Sequence, residues 1–463
     1  MDDVTEAQIA RFREDVDRSR TPGAYEPGRW SVAPANRDPA VTGDLPEQIR
    51  LRDASMRAIE SLPGVAPSAE AKLAFLRMLA RSRVPEIVLA APGPGGRARQ
   101  AGGRERQAGS RGRHPRGHGR RPGGRGAHPA GRDADAVRAE VAVIREEHPD
   151  CVVHCPFVST MDGIDRAADV GFDAVQVPVP PFGPAAGIYR ASAPASRTEL
   201  VAETAELVGY ARARRLRVAA PITMVSFLSE ETLAETVTAM ADAGAQEVIL
   251  FDGPGGVGPE AYGRLVEVAR SAAPDLRVGV HPHNTFGLGV ACAVSAARAG
   301  AAVVESSVNG YCSGTGNADL AATAAAFEAL YGVRTGLRLD TLTGLARAAA
   351  GLTGRASAAN QPITGRDAFC WGGADWVLVE REVDPLLHNS VEPALFGNER
   401  RIPLTSQSGP RATAAALERL GVDVDPALVP AIAERCRAEL GARGGRPLTD
   451  EEIRAVARDV LAG

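Results

Sequence analysis

Residues 246–300, QEVILFDGPGGVGPEAYGRLVEVARSAAPDLRVGVHPHNTFGLGVACAVSAARAG, decide the fold. Two short apolar runs, 246–252 and 276–282, alternate with two longer amphipathic segments, 258–272 and 286–299. Near-continuous apolar strands are those of a parallel sheet covered on both faces. Working outward, the same alternation predicts strands at 47–53, 85–90, 151–157, 173–178, 217–225 and 301–308. Helices are predicted near 68–82, 134–147, 161–170, 198–214 and 229–243, with an eighth near 318–331. Eight such units in about 285 residues predict a (β/α)8 TIM barrel, whose functional side chains gather at the C-terminal ends of the strands.

Within the opening stretch, His281 and His283 stand two residues apart at a strand end. Strand side chains alternate faces, so the two imidazoles point the same way and can converge on a divalent metal. The bland alternative is a pair of polar strand-end residues. Two segments add weight to the metal: IRLRD (49–53), a strand ending in Arg52 and Asp53, and VNGYCSGTGNADL (308–320), which offers Asn317 in a Gly-rich loop. Asp53, Asp252, His281 and His283 all lie at or next to predicted strand ends.

Composition narrows the function classes. A net charge of −4 argues against nucleic acid as the main partner of the whole chain. No apolar run approaches the roughly 20 residues that span a bilayer, and the polar N-terminus lacks the apolar core of a signal peptide. The six cysteines are scattered without a CxxC pair, as expected of reduced thiols in a cytoplasmic protein.

Residues 1–46 read as a Pro-rich N-terminal arm, 47–335 as the catalytic barrel, and 336–463 as a small, mostly helical C-terminal lid or dimerisation region. LTDEEI places Thr449 as an N-cap three residues before Glu452, a capping box. Residues 92–132 stand apart, with eleven arginines, one acid, and no Leu, Ile, Val or aromatic residue. Such a segment cannot bury a core. It reads as a disordered loop, as an RGG-like anion-binding insertion, or as GC-rich DNA translated out of frame, the reading favoured here. Its three histidines are poor ligand candidates under all three.

LRD on strand one, HPHNTFGLGVACAVSAARAGA on strand and helix seven, and VNGYCSGTGNADL after strand eight resemble the isopropylmalate, homocitrate and citramalate synthases. These are metal-dependent acyl-CoA Claisen enzymes, related to the hydroxymethylglutaryl-CoA lyases. The resemblance covers roughly residues 47–335 and continues more weakly through QPITGRDAF and ALFGNERRIPLTSQSG. It implies a divalent cation (Mg, Mn, Co or Zn) on Asp53, His281 and His283, with Asn317 as a fourth ligand. It implies acyl-CoA and a 2-oxo acid as small-molecule substrates, Arg52 as the group stabilising charge on the ketone or enolate oxygen, and a homodimer. The alternative for Arg52 is a barrel-bottom ion pair.

Further candidates carry two readings each. Asn284 would orient a ligand or contact substrate. His154 on strand three is a core residue or a substrate contact. Asp252, in DGPG where the family usually has Asp-Thr-x-Gly, and Thr223 on strand five would face the substrate. Cys312 is either a small loop-filling residue or a proton-transfer thiol like the loop cysteine of the lyases. The chain also departs from the synthase pattern. The loop after strand eight lacks the usual Glu-Arg pair, Ser226 stands where a glutamate is expected, and Trp371 and Trp376 align with the lid histidines. His388 is the one histidine left in that region and is the candidate replacement acid or base. A retained metal site with altered surroundings implies a changed substrate or proton path. The rival readings are a lyase or aldolase in the same metal cage and an inactive barrel serving as a binding subunit.

Overall fold

The computed structural model describes residues 5–93, 132–181, 196–372, 375–401, 403–444 and 446–462, with the side chains of 375–378 left aside. Eight parallel strands close into a barrel: β1 (Arg50–Asp53), β2 (Glu86–Val88), β3 (Val152–Cys155), β4 (Ala174–Gln176), β5 (Arg217–Thr223), β6 (Glu247–Asp252), β7 (Arg277–Pro282) and β8 (Val303–Ser306). β8 pairs with both β7 and β1, so no sheet edge is left open. Each strand falls inside its predicted range and is shorter at its ends. The fold is the (β/α)8 barrel expected from the alternation of runs.

Helices cover the outside. Ser55–Ile59 and Ala69–Arg81 follow β1, and Ala134–Glu147, Met161–Val170, Arg197–Ala213, Glu230–Asp242, Pro259–Ala272 and Gly289–Arg298 follow the next six strands. Leu320–Ala325 runs on into a wider π-helical turn, Ala326–Tyr331, after β8. Side chains such as Leu76, Leu79, Val237, Met240 and Tyr262 are buried between these helices and the strands. Leu207 and Val208 show why the Arg197–Ala213 helix docks: both are buried apolar residues on its strand-facing side.

The chain after the barrel splits its packing. Leu342, Leu345, Phe369, Val391 and Phe396 join the barrel's apolar cluster. Residues from Leu404 to Ala457, on helices Pro410–Arg419, Val429–Ala442 and Asp450–Leu461, form a separate cluster. The capping box at Thr449 is present, with Thr449 and Glu452 exchanging hydrogen bonds. The N-terminal helix Glu6–Ser19 packs on the helix Asp375–Val383 of the same chain, Arg20 pairs with Asp384, and Tyr25 donates to Asp384 at 2.9 Å. Residues 94–131, the bulk of the arginine-rich segment, lie outside the described residues; at its ends Pro92 and Arg132 pair as a parallel bridge. Among the described residues, no helix is long and apolar enough to cross a membrane.

Candidate metal centre at the barrel mouth

The barrel interior is polar where bulky aliphatic layers are usual. Arg52 is fully buried. Its Nε donates to Glu86 at 2.8 Å, its Nη2 to Glu247 at 2.8 Å and its Nη1 to Glu305 at 3.4 Å. Arg277 donates to Glu247 at 2.5 Å and to Glu86 at 3.1 Å. Glu86, Glu247 and Arg277 are the first residues of their strands, so this layer lies toward the barrel floor. Gly279 makes room for it, since a Cβ there would stand 2.8 Å from a Glu247 carboxylate oxygen. All three guanidinium nitrogens of Arg52 are engaged, which leaves no donor edge free for a ketone oxygen. The arrangement fits the ion-pair alternative for Arg52 and corrects its placement as a mouth-facing catalytic cation. His154 belongs to the same layer: its Nε2 lies 3.0 Å from Glu86, and it lines a small cavity with Arg217, Glu247 and Arg277. It is therefore not placed as a substrate contact at the mouth.

Glu305 connects this layer to the histidines. One of its oxygens meets Arg52 and accepts from Gln176 at 2.5 Å; the other lies 2.8 Å from His281 Nδ1. A carboxylate there fixes the tautomer with Nδ1–H donating and turns Nε2 outward as an acceptor. His281 Nε2 is buried and has no hydrogen-bond partner among the described residues. Its ring stacks on Phe251, with centroids 3.8 Å apart and planes 6° from parallel. Burial works against both charges of the pair. Their mutual hydrogen bond, with Arg52 near Glu305 and Cys312 near His281, outweighs it. Glu305 is thereby held well below the usual carboxylate range, and His281 is raised.

His283 stands beside His281 with ring centroids 5.2 Å apart, as the two-residue spacing required. Cys312 joins them: Sγ lies 3.7 Å from His283 Nε2, and one ligand atom from each of His281, His283 and Cys312 lies within 4.8 Å of the others. Burial would raise the Cys312 thiol, but the adjacent imidazoles of His281 and His283 and the charge of Arg57 bring it down to about 5. The Gly-rich loop is pinned against the histidine turn. His283 and Asn317 form an antiparallel bridge, Asn284 N–H donates to Gly316 O at 2.9 Å, and Asn317 N–H donates to Gly310 O at 3.1 Å. Gly316 has φ +84°, and a Cβ on it would fall 1.9 Å from the Gly310 carbonyl oxygen, so this closure requires glycine. Asn317 is buried, and neither its Oδ1 nor its Nδ2 has a partner among the described residues. Unpartnered nitrogen and oxygen acceptors converging beside a thiolate fit a divalent cation.

Other sequence candidates are placed differently. Asp53 follows the inward-facing Arg52, so within the strand its side chain takes the opposite face. Its carboxylate accepts from Ser55 N–H at 2.9 Å and Ser55 Oγ–H at 2.6 Å, and burial pushes it up to about 7. It is not part of the His281–His283–Cys312 cluster. Asp252 follows the inward Phe251; its Oδ2 accepts from Val257 N–H at 2.8 Å, holding the DGPG turn, and its buried Oδ1 has no partner among the described residues. The Asn284 side chain accepts from Gly289 N–H at 2.9 Å at the start of the next helix, a structural duty in place of the substrate contact expected of it. Thr223 is buried at the end of β5 with Oγ1 unpartnered. His388 lies 2.8 Å from Glu380 and stacks on Trp371, both in the C-terminal region.

Sequence reasoning missed Glu86, Glu247 and Glu305. Their signal was an acid inside an otherwise apolar strand, in PEIVLA, QEVILF and AVVESS. It also missed Arg57, on the Ser55–Ile59 helix. Its guanidinium carbon lies 5.1 Å from the Phe157 ring centroid and 5.5 Å from that of Phe251.

A family model described as HMGL-like matches residues 48–348. A Methanopyrus kandleri protein assigned as an (R)-citramalate synthase is 30% identical over 433 residues, covering 92% of this chain and 75% of that one. The 2-phosphonomethylmalate synthase of Streptomyces rubellomurinus is 30% identical over 404 residues, covering 87% of this chain and 96% of its own. Among solved structures, the hydroxymethylglutaryl-CoA lyase of Pseudomonas aeruginosa superposes with a TM-score of 0.54 at 19% identity, over 68% of this chain and 95% of that one. At that identity the likeness is one of fold.

Proposed function

The chain belongs to the HMGL-like family, and from that premise we propose that it condenses an acyl-CoA, acetyl-CoA first among them, with a 2-oxo acid to give a 2-hydroxy-2-alkyl acid and free CoA. The observation that carries this reading is the buried, unpartnered Nε2 of His281, oriented by Glu305 and set beside His283. The relatives named as synthases of citramalate and 2-phosphonomethylmalate support it at the level of reaction type.

His281 and His283 would hold a divalent cation, with Asn317 offering its amide oxygen. Such a cation supplies Lewis-acid polarisation of a 2-oxo acid's ketone when bound. Glu305 keeps His281 in its ligating tautomer, and Arg52 keeps Glu305 charged. Cys312, a thiolate at neutral pH beside both imidazoles, is the group assigned to take the proton from the acyl carbon. Thr223 is assigned to the acceptor, since its hydroxyl at the end of β5 has no partner among the described residues.

The test is thiol release from acetyl-CoA with 2-oxo acids bearing methyl, branched alkyl, carboxyalkyl or phosphonomethyl groups, with and without Mg²⁺, Mn²⁺, Co²⁺ or Zn²⁺. Release that needs both the cation and one acceptor supports condensation. A second reading, cleavage of a hydroxy acid or hydroxyacyl-CoA in the same site, is favoured by the Cys312 thiolate lying against His283. Release of a 2-oxo acid or a ketone body in place of thiol would select it.

A further inference from the structure

We infer that Arg57 is an anion anchor at the barrel mouth, and that the acceptor therefore carries a second acidic group beyond its 2-oxo acid head. This rests on the condensation reading and names the acceptor's class. Arg57 comes from the short helix after β1, and its guanidinium lies against the rings of Phe157 and Phe251. Phe251 in turn stacks on His281, so cation, ring and imidazole form one layered group at the candidate metal centre. The charge of Arg57 is felt at His281, Glu305 and Cys312.

Nε and Nη2 of Arg57 are buried and have no hydrogen-bond partner among the described residues. The other central arginine, Arg52, is saturated by three glutamates. No carboxylate among the described residues forms an ion pair with Arg57, and the nearby acid, Glu305, is already spoken for by Arg52, Gln176 and His281. The two rings stabilise the cation but accept none of its N–H groups in the plane of the guanidinium. Arg57 is half-buried, but leaving its enclosed Nε and Nη2 donors unmet is costly, and an oxyanion is the ligand its fork matches, by two parallel charge-assisted bonds. The head group of a 2-oxo acid is committed to the histidine pair. The anion left for Arg57 is a second carboxylate, or a tetrahedral oxyanion in its place.

The experiment is titration calorimetry of the full-length protein, loaded with Mn²⁺, against 2-oxoglutarate, oxaloacetate and 3-phosphonopyruvate on one side and 2-oxobutyrate and 3-methyl-2-oxobutanoate on the other. Wild type is compared with Arg57→Met and Arg57→Lys, and thermal unfolding verifies that both variants fold. Wild type should prefer at least one of the diacids. In Arg57→Met the ratio of diacid to monoacid affinity should fall about 10- to 100-fold, with part of it restored in Arg57→Lys. An unchanged ratio overturns the anchor, as does a wild type that prefers monoacids. Loss of CoA binding in Arg57→Met with an unchanged acceptor ratio also overturns it, by assigning the cation to the CoA phosphates. Thiol release is measured in parallel. A protein that binds diacids through Arg57 but releases no thiol with any acceptor refutes condensation and leaves the anchor standing. Thiol release that is blind to Arg57 does the reverse.

Discussion

Replacing Glu305 by Gln separates the two jobs this side chain holds. It keeps the size and one acceptor oxygen and removes the charge. The layer sets three carboxylates, Glu86, Glu247 and Glu305, against three guanidiniums, with Arg52 and Arg277 inside it and Arg50 reaching Glu86 at 3.5 Å from the floor, and Glu305 is the carboxylate that meets His281. Loss of a carboxylate behind a ligating histidine costs about 10- to 100-fold in metal affinity, or about 1.4–2.7 kcal/mol. Arg52 keeps Glu86 and Glu247, so stability should fall by less than the roughly 3–5 kcal/mol of a fully broken buried pair. The comparison variant is Glu86→Gln. Glu86 carries Arg52, Arg277 and His154 but does not touch His281. It should cost the larger share of stability, up to about 3–5 kcal/mol, and leave metal affinity close to wild type. Titration calorimetry with Mn²⁺ and urea unfolding of the metal-free protein measure the two quantities. The reasoning is refuted if Glu305→Gln binds metal as wild type does, or if Glu86→Gln weakens it equally.

Further outcomes follow from the same geometry. Gly316→Ala places a methyl 1.9 Å from the Gly310 carbonyl at a left-handed φ, so Mn²⁺ affinity and the thermal midpoint should both fall, by strain of about 1–3 kcal/mol or more; an unshifted midpoint with normal affinity would rule out that closure. In metal-free protein, thiolate absorbance at 240 nm should rise with a midpoint near pH 5 and vanish in Cys312→Ser, because burial moves Cys292 and Cys436 up to about 11 and raises Cys151, Cys155 and Cys370 as well. A first thiolate step above pH 8 would show that the imidazoles do not hold Cys312 as described. Asp53 is raised by burial from 3.8 to about 7, so its contribution to the stability of metal-free protein is complete below about pH 4 and is lost as pH climbs through 7. Asp53→Asn should flatten that part of the stability profile, and an identical profile in variant and wild type would contradict the burial argument.

The barrel was legible because its signal is repeated eight times: short apolar runs, helical spacing, and turns between them. The histidine pair was legible for a related reason, since a two-residue spacing fixes a shared face whatever surrounds it. Arg52 and Asp53 were read less well, and the same rule explains why. Neighbours on a strand point opposite ways, so the pair could not both face the site from within β1, and Arg52 took the interior. Whether a strand-end arginine looks up to substrate or down to glutamates depends on Glu86, Glu247 and Glu305, which come from three other strands. Asp252 drew notice because it ends a strand and Asn284 because it follows the histidine pair, and each also closes its own turn by a local hydrogen bond. Arg57 was overlooked because a lone arginine on a helix is usually a solvated one; only the rings of Phe157 and Phe251, 100 and 194 residues further along, draw it half-buried to the barrel mouth.

The most direct test of the central claim follows carbon. Acetyl-CoA labelled in its methyl carbon is incubated with the full chain, Mn²⁺ and the acceptor panel, and products are read by mass spectrometry beside a His281→Ala/His283→Ala variant. The account predicts label in a 2-hydroxy acid, one equivalent per thiol released, absent without the cation and absent in the variant. Label found only in free acetate would mean thioester hydrolysis without carbon–carbon bond formation and would contradict it.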